Sequence, residues 1–254
     1  MAAAADSALP RALALVRDLR ARCPWDRAQT RDTLRPYLVE EVLELDQALK
    51  DGNPVELRDE LGDLLLHLAF QIVIGEERGE LDAATVTRAL EEKMWRRHPH
   101  LFGDSPTPDH AGWERVKRRE RGGRGTLAGL PRTMPPLLKA FRLQERAAGV
   151  GFDWPDATGP LEKVKEETAE LARELATSAP VRERVQDEVG DLLFAVVNLA
   201  RKLGWDPNGA LEHANAKFTR RFAEVERRAA AQGLELGRAS LEQLDRLWDE
   251  VKRG

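Results

Sequence analysis

The chain reads as all-α, built from two tandem homologous helical-bundle domains. Three observations predict this. Helix-forming residues dominate, and clean period-two alternation of apolar and polar residues is missing. Turn signals such as "DGNP" at Asp51–Pro54 and "GELD" before residue 83 punctuate long stretches with helical periodicity. Most telling, four segments occur twice in the same order. "YLVEEVLEL" (37–45) pairs with "KVKEETAEL" (163–171), "ELGDLLLHLA" (60–69) with "EVGDLLFAVV" (188–197), "EKMWRRH" (92–98) with "AKFTRRF" (216–222), and "WERVK" (113–117) with "WDEVK" (248–252). Their offsets of 126, 128, 124 and 135 residues describe a tandem duplication.

Taken in order, Leu9, Leu13, Val16 and Leu19 fall at helical spacing in an Ala-rich start whose arginines break the apolar core that a signal peptide needs. Helices are expected over roughly 36–50, 54–75 and 82–98, with "HPHLF" as a turn in which His98 and His100 flank Pro99. A short helix is expected over 113–120. The stretch "RGGRGTLAGLPRTMPP" is rich in Gly, Arg and Pro and reads as a linker. Helices then recur near 135–148, 159–176, 181–203, 207–232 and 240–253. The expected organisation is therefore an N-terminal helical domain (1–120), a linker (121–134) and a C-terminal helical domain (135–254). Cys23, Trp25 and Trp154 are expected to serve packing.

The net charge of −4 argues against a protein whose affinity for nucleic acid comes from excess positive charge, and no direct nucleic-acid binding is expected. One cysteine, Cys23, excludes an internal disulfide and a thiolate metal cluster. No apolar run approaches the roughly 18 residues needed to cross a bilayer. A cytoplasmic protein with no membrane partner is expected.

The chemistry resides in acids. Each half carries Glu-Glu-x-x-Glu on one helix and Glu-x-x-Asp on the next: Glu40, Glu41, Glu44, Glu60 and Asp63, then Glu166, Glu167, Glu170, Glu188 and Asp191. Residues three or four apart share a helix face, and a short connection makes the two helices antiparallel neighbours, so the acids can converge. Acidic helix faces are commonly just solvated. Here Glu-x-x-Asp instead adjoins an apolar run, the arrangement recurs with 15 and 17 intervening residues, and no regular i+4 Lys or Arg partners are evident. Two carboxylates ~5 Å apart repel by about 3 kcal/mol at an effective dielectric of about 20. Several together must protonate or hold a cation. All-oxygen donors select a hard ion, Mg²⁺ or Mn²⁺, which usually meets a phosphate. A di-iron bundle would need Glu-x-x-His pairs, and no histidine stands three residues after a glutamate.

These motifs, with "CPWD" (23–26), "RRHPHLF" (96–102), "VGFDW" (150–154) and "ANAKFTRRF" (214–222), make the chain resemble the MazG family of the all-α NTP pyrophosphatase superfamily over nearly its whole length. The resemblance implies Mg²⁺-dependent hydrolysis of NTPs and dNTPs to NMP and pyrophosphate, as nucleotide-pool house-cleaning, with Mn²⁺ as a substitute ion. It implies Glu167, Glu170, Glu188 and Asp191 as metal ligands, with Glu41, Glu44, Glu60 and Asp63 as counterparts. Glu166 is then free to activate the attacking water. Lys217, Arg220 and Arg221 match positions that hold the triphosphate, with Lys163 and Arg184 as further candidates, and Trp248 matches a residue beside the base. The family pattern also implies a homodimer and turnover in the second half. The competing expectation is a nucleotide-sensing or protein-binding helical module without turnover.

Overall fold

A computed structural model describes residues 8–102 and 125–253. All the regular structure among them is helical: α1 (Ala8–Arg22), α2 (Pro24–Ala28), α3 (Arg31–Asp51), α4 (Pro54–Glu77), α5 (Ala83–Arg97), α6 (Pro99–Phe102), α7 (Pro136–Ala148), α8 (Thr158–Leu175), α9 (Arg182–Lys202), α10 (Pro207–Ala231) and α11 (Leu241–Arg253). The chain forms two compact units that divide between the two described stretches. The helix expected over 113–120 lies outside the described residues.

Local chemistry sets most boundaries. Asn53 caps α4 by accepting from the Val55 N–H, and Pro54 takes the first helical position, where its missing donor costs nothing. Asp206 and Pro207 repeat the device at α10. Asp82 caps α5 in a capping box with Thr85, and Gly52 ends α3 at φ 68°, a left-handed conformation that glycine enters freely. Two boundaries differ from expectation. Helix α3 starts at Arg31, not near 36, because a capping box between Thr30 and Thr33 nucleates it upstream and Pro36 is absorbed into an early turn. "PHLF" is a helical turn, α6, with Pro99 at its first position.

In the first unit, Leu13 and Val16 of α1 and Leu34 of α3 meet Ala69, Phe70, Val73 and Ile74 of α4. Arg20 is 8% exposed, grips Glu77 through two hydrogen bonds of 2.8 and 2.6 Å, and donates to the Asp26 and Gln29 carbonyls. It thereby pins "CPWD" to α1 and α4. Trp25, expected in the packing, is instead 59% exposed, because α2 is a single turn held by its backbone rather than by its ring.

In the second unit, α8 and α9 form the antiparallel pair, α7 packs on α9, and Val225, Ala229 and Leu247 centre the contact of α10 with α11. "VGFDW" is tied to the end of α9. Asp153 accepts from Arg201 and Lys202, and Lys202 also donates to the Trp154 carbonyl at 2.6 Å. Burial opposes ionisation of Asp153, but these cations overcome it and hold its carboxyl below the usual range. Trp154 lies against Gly159, where an added Cβ would fall 2.0 Å from the indole, so only glycine admits the ring.

Candidate metal and phosphate site

Each antiparallel pair, α3 with α4 and α8 with α9, brings acids from two helices together. Carboxylate oxygens of Glu41, Glu60 and Asp63 lie within 4.8 Å of one another, and so do those of Glu167, Glu170 and Glu188. Glu44 adjoins Glu41 closely enough to share a hydrogen bond, and Asp191 adds to the repulsion at Glu188, but neither belongs to these sets. Glu167 is the most enclosed acid, 4% exposed.

The electrostatics carry the imprint of crowding. Partial burial, then the charges of Asp63, Glu44 and Glu60, pushes the Glu41 carboxyl up. Burial, then Glu44 and Asp63, does the same to Glu60, and burial, then Glu170, Glu167 and Asp191, to Glu188. A raised carboxyl stabilises the fold below its ordinary value, about 4.3 for glutamate, and that stability is lost as pH rises through the folded value. At neutral pH the carboxylates of Glu41, Glu60 and Glu188 therefore oppose folding, and a bound cation would relieve them. Mg²⁺ at a concentration about a hundredfold above its Kd at pH 8 is expected to raise the melting temperature by roughly 5–10 °C there, and the same concentration by much less at pH 5, where protonation weakens binding. Thermal scans at both pH values check this, and equal shifts would contradict it. The all-oxygen donor sets fit a hard divalent ion.

One expectation is corrected. The second cluster does have basic partners at helical spacing: Lys163 Nζ is 2.6 Å from Glu167 Oε1 and 3.0 Å from Glu166 Oε1, and Arg173 reaches Glu170 at 3.0 Å. The Glu167 hydrogen bond, then that to Glu166, pushes the Lys163 ammonium up. Lys163 thus partly neutralises the cluster and holds Glu166, itself outside the oxygen set, beside it.

The remaining cations are differently placed. Arg184 is exposed at the start of α9, and Lys217, Arg220 and Arg221 lie on α10. Among the described residues no hydrogen bond or ion pair engages these four side chains, and none joins them to the acids. Arg96 and Arg97, the first-half counterparts of Arg220 and Arg221, are both already engaged. Trp248 is half-buried with its ring 5.2 Å from Phe218, which stacks on Phe222 at 5.8 Å. Phe218 is 56% exposed and extends the aromatic surface beyond what Trp248 alone promised. Sequence reasoning also passed over His67, which is buried in α4 with Nε2 3.7 Å from Glu41 Oε1 and Nδ1 lacking a partner. Comparison of the repeats carried the signal, since position 195 of the second half is alanine.

Comparison with known proteins agrees with this geometry. The MazG nucleotide pyrophosphohydrolase domain profile matches residues 29–102 and again 158–225, so each match holds one acid constellation. A nucleoside triphosphate pyrophosphohydrolase of Escherichia coli is 41% identical over 245 residues, covering 94% of this chain and 93% of that protein. A Thermotoga maritima protein named nucleoside triphosphate pyrophosphohydrolase/pyrophosphatase MazG is 42% identical, covering 91% of this chain and 90% of its own. Bacillus subtilis YabN, an uncharacterized protein, is 41% identical over 94% of this chain and half of its own length. No helix among the described residues is long and apolar enough to cross a membrane. Twofold profile matching, full-length identity and the paired acid sites agree: the chain belongs to the MazG nucleotide pyrophosphohydrolase family.

Proposed function

We propose that this protein is a Mg²⁺-dependent nucleoside triphosphate pyrophosphohydrolase that cleaves between the α- and β-phosphates, with Mn²⁺ as a substitute ion and turnover at the second acid cluster. The observation that carries the reading is the convergence of Glu167, Glu170 and Glu188 in a unit that also holds four cations without acidic partners. Glu167, Glu170, Glu188 and Asp191 would hold the ion, which when bound neutralises phosphate charge and acidifies water. Lys217, Arg220, Arg221 and Arg184 bind triphosphate oxygens, and Lys163, while it holds Glu166 and Glu167, turns its remaining N–H to the phosphates. Glu166 removes the proton of the attacking water, one P–O bond forms, the α–β bridge breaks, and pyrophosphate leaves with the electron pair. Trp248 and Phe218 offer faces on which any base stacks, which suits clearance of varied NTPs and dNTPs from the cytoplasmic pool.

Glu41, Glu44, Glu60 and Asp63 form the corresponding site of the first half. A homodimer accounts for two otherwise unexplained features. Val189, Leu193 and Val196 form an exposed apolar stripe on α9, and Leu61 and Leu68 are exposed at equivalent positions of α4. Gly62 and Gly190 sit mid-helix although an added Cβ would meet nothing within 4 Å, leaving room for another chain to approach. Sedimentation equilibrium should return twice the chain mass of 28.5 kDa, and a monomer would count against the assembly.

The activity is tested by anion-exchange analysis after incubation with NTPs and dNTPs, with and without Mg²⁺. NMP plus pyrophosphate, dependent on the ion, is expected. NDP plus phosphate would refute α–β cleavage, and absence of turnover would leave a nucleotide-binding module.

A further inference from the structure

The two acid clusters orient the same glutamate by different means. In the second half, Lys163 grips Glu167 from one turn earlier on the same helix, and the buried residue four positions after Asp191 on α9 is Ala195. In the first half both residues change together. The equivalent of Lys163 is Tyr37, 48% exposed, and the equivalent of Ala195 is the buried His67. The lysine is lost where the imidazole is gained.

Packing does not require this imidazole. His67 and Ala195 are 7% and 5% exposed, so the second unit fills the equivalent buried position with a methyl group alone. Burying a ring with Nδ1 unpartnered is unfavourable, and an alanine would avoid it. His67 follows Asp63 by four residues and Glu60 by seven, which places all three on one face of α4. Nε2 lies 3.7 Å from Glu41 Oε1, while the imidazole stands outside the set of oxygens that Glu41, Glu60 and Asp63 hold within 4.8 Å. It is behind the cluster rather than in it.

We infer that His67 is a positioning residue of the first-half cation site: its Nε2, 3.7 Å from Glu41 Oε1, has to close by only a few tenths of an ångström to donate to that oxygen and leave the other to the ion, the task Lys163 performs on Glu167. The inference rests on the reading that the Glu41–Glu60–Asp63 cluster holds a divalent cation. Outer partners of this kind typically alter metal affinity by about 10–100-fold when removed.

The test is Mn²⁺ binding to the full chain, followed by the electron-paramagnetic-resonance signal of the free ion, in a Glu167→Gln, Glu188→Gln background that disables the second cluster. One class of Mn²⁺ site is expected to remain and to vanish with Glu60→Gln. His67→Ala should weaken it about 10–100-fold, and His67→Leu, which keeps the core filled, should do the same. His67→Gln, which places an amide donor near the position of Nε2, should stay much closer to the parent. Unchanged affinity in His67→Ala or His67→Leu overturns the inference while sparing the cation site. Loss in His67→Gln equal to that in His67→Leu overturns the donor role. A background protein with no Mn²⁺ class that responds to Glu60→Gln overturns the cation site, and the inference with it.

Discussion

Glu166→Gln is expected to lower kcat by about 10²–10⁴-fold while nucleotide affinity stays near that of the parent. Glu166 is exposed and lies outside the oxygen set formed by Glu167, Glu170 and Glu188. It is not idle there, because Lys163 holds it at 3.0 Å while gripping Glu167 at 2.6 Å. A carboxylate fixed beside a cation site without serving it suits a base that takes a proton from water. Glutamine keeps the size and an acceptor oxygen for Lys163, but it cannot accept that proton. Turnover rates beside equilibrium binding of a non-hydrolysable nucleotide separate the two effects. An unchanged kcat, or a fall fully matched by lost affinity, would remove Glu166 from this role.

Glu167→Ala is expected to reduce turnover by more than about 100-fold, because a direct ligand should matter more than the outer partners for which that magnitude is typical. Glu167 is the acid most firmly set by the fold, 4% exposed, where its neighbours Glu170 and Glu188 are half-buried. Its loss also frees Lys163 from its 2.6 Å contact and leaves the cluster without its enclosed member. Glu41→Ala, the equivalent change in the first half, is expected to leave turnover nearly intact. There Arg96 and Arg97 are already engaged, Trp95 lies edge-on to Phe102 at 6.4 Å, and the lysine position is occupied by Tyr37.

Much of this was readable from residue types and spacing. The pairs Asn53–Pro54 and Asp206–Pro207 announce helix starts because capping chemistry is local. The acid convergence was readable too, since a short connection leaves an antiparallel pair little alternative. What escaped was set by side-chain direction or by neighbours distant in sequence. Asp63 enters the first oxygen set while Asp191 stays outside the second, a matter of side-chain direction rather than spacing. Trp25 is expected to serve packing, yet Arg20 holds that turn by its backbone and leaves the indole outside. The Lys163–Glu167 pair stands at plain i,i+4 spacing, although from sequence Lys163 is only a candidate for the triphosphate. Its capture by the acids follows from helix geometry, which sets the ammonium one turn from Glu167 and beside Glu166.

The account turns on where hydrolysis occurs, and one assay addresses it directly. The parent, Glu167→Ala and Glu41→Ala chains are incubated with the same NTP and Mg²⁺, and products are separated by anion exchange. NMP and pyrophosphate from the parent and from Glu41→Ala, with almost none from Glu167→Ala, is the predicted result. Turnover that survives in Glu167→Ala and disappears in Glu41→Ala would contradict it and move the chemistry to the first half.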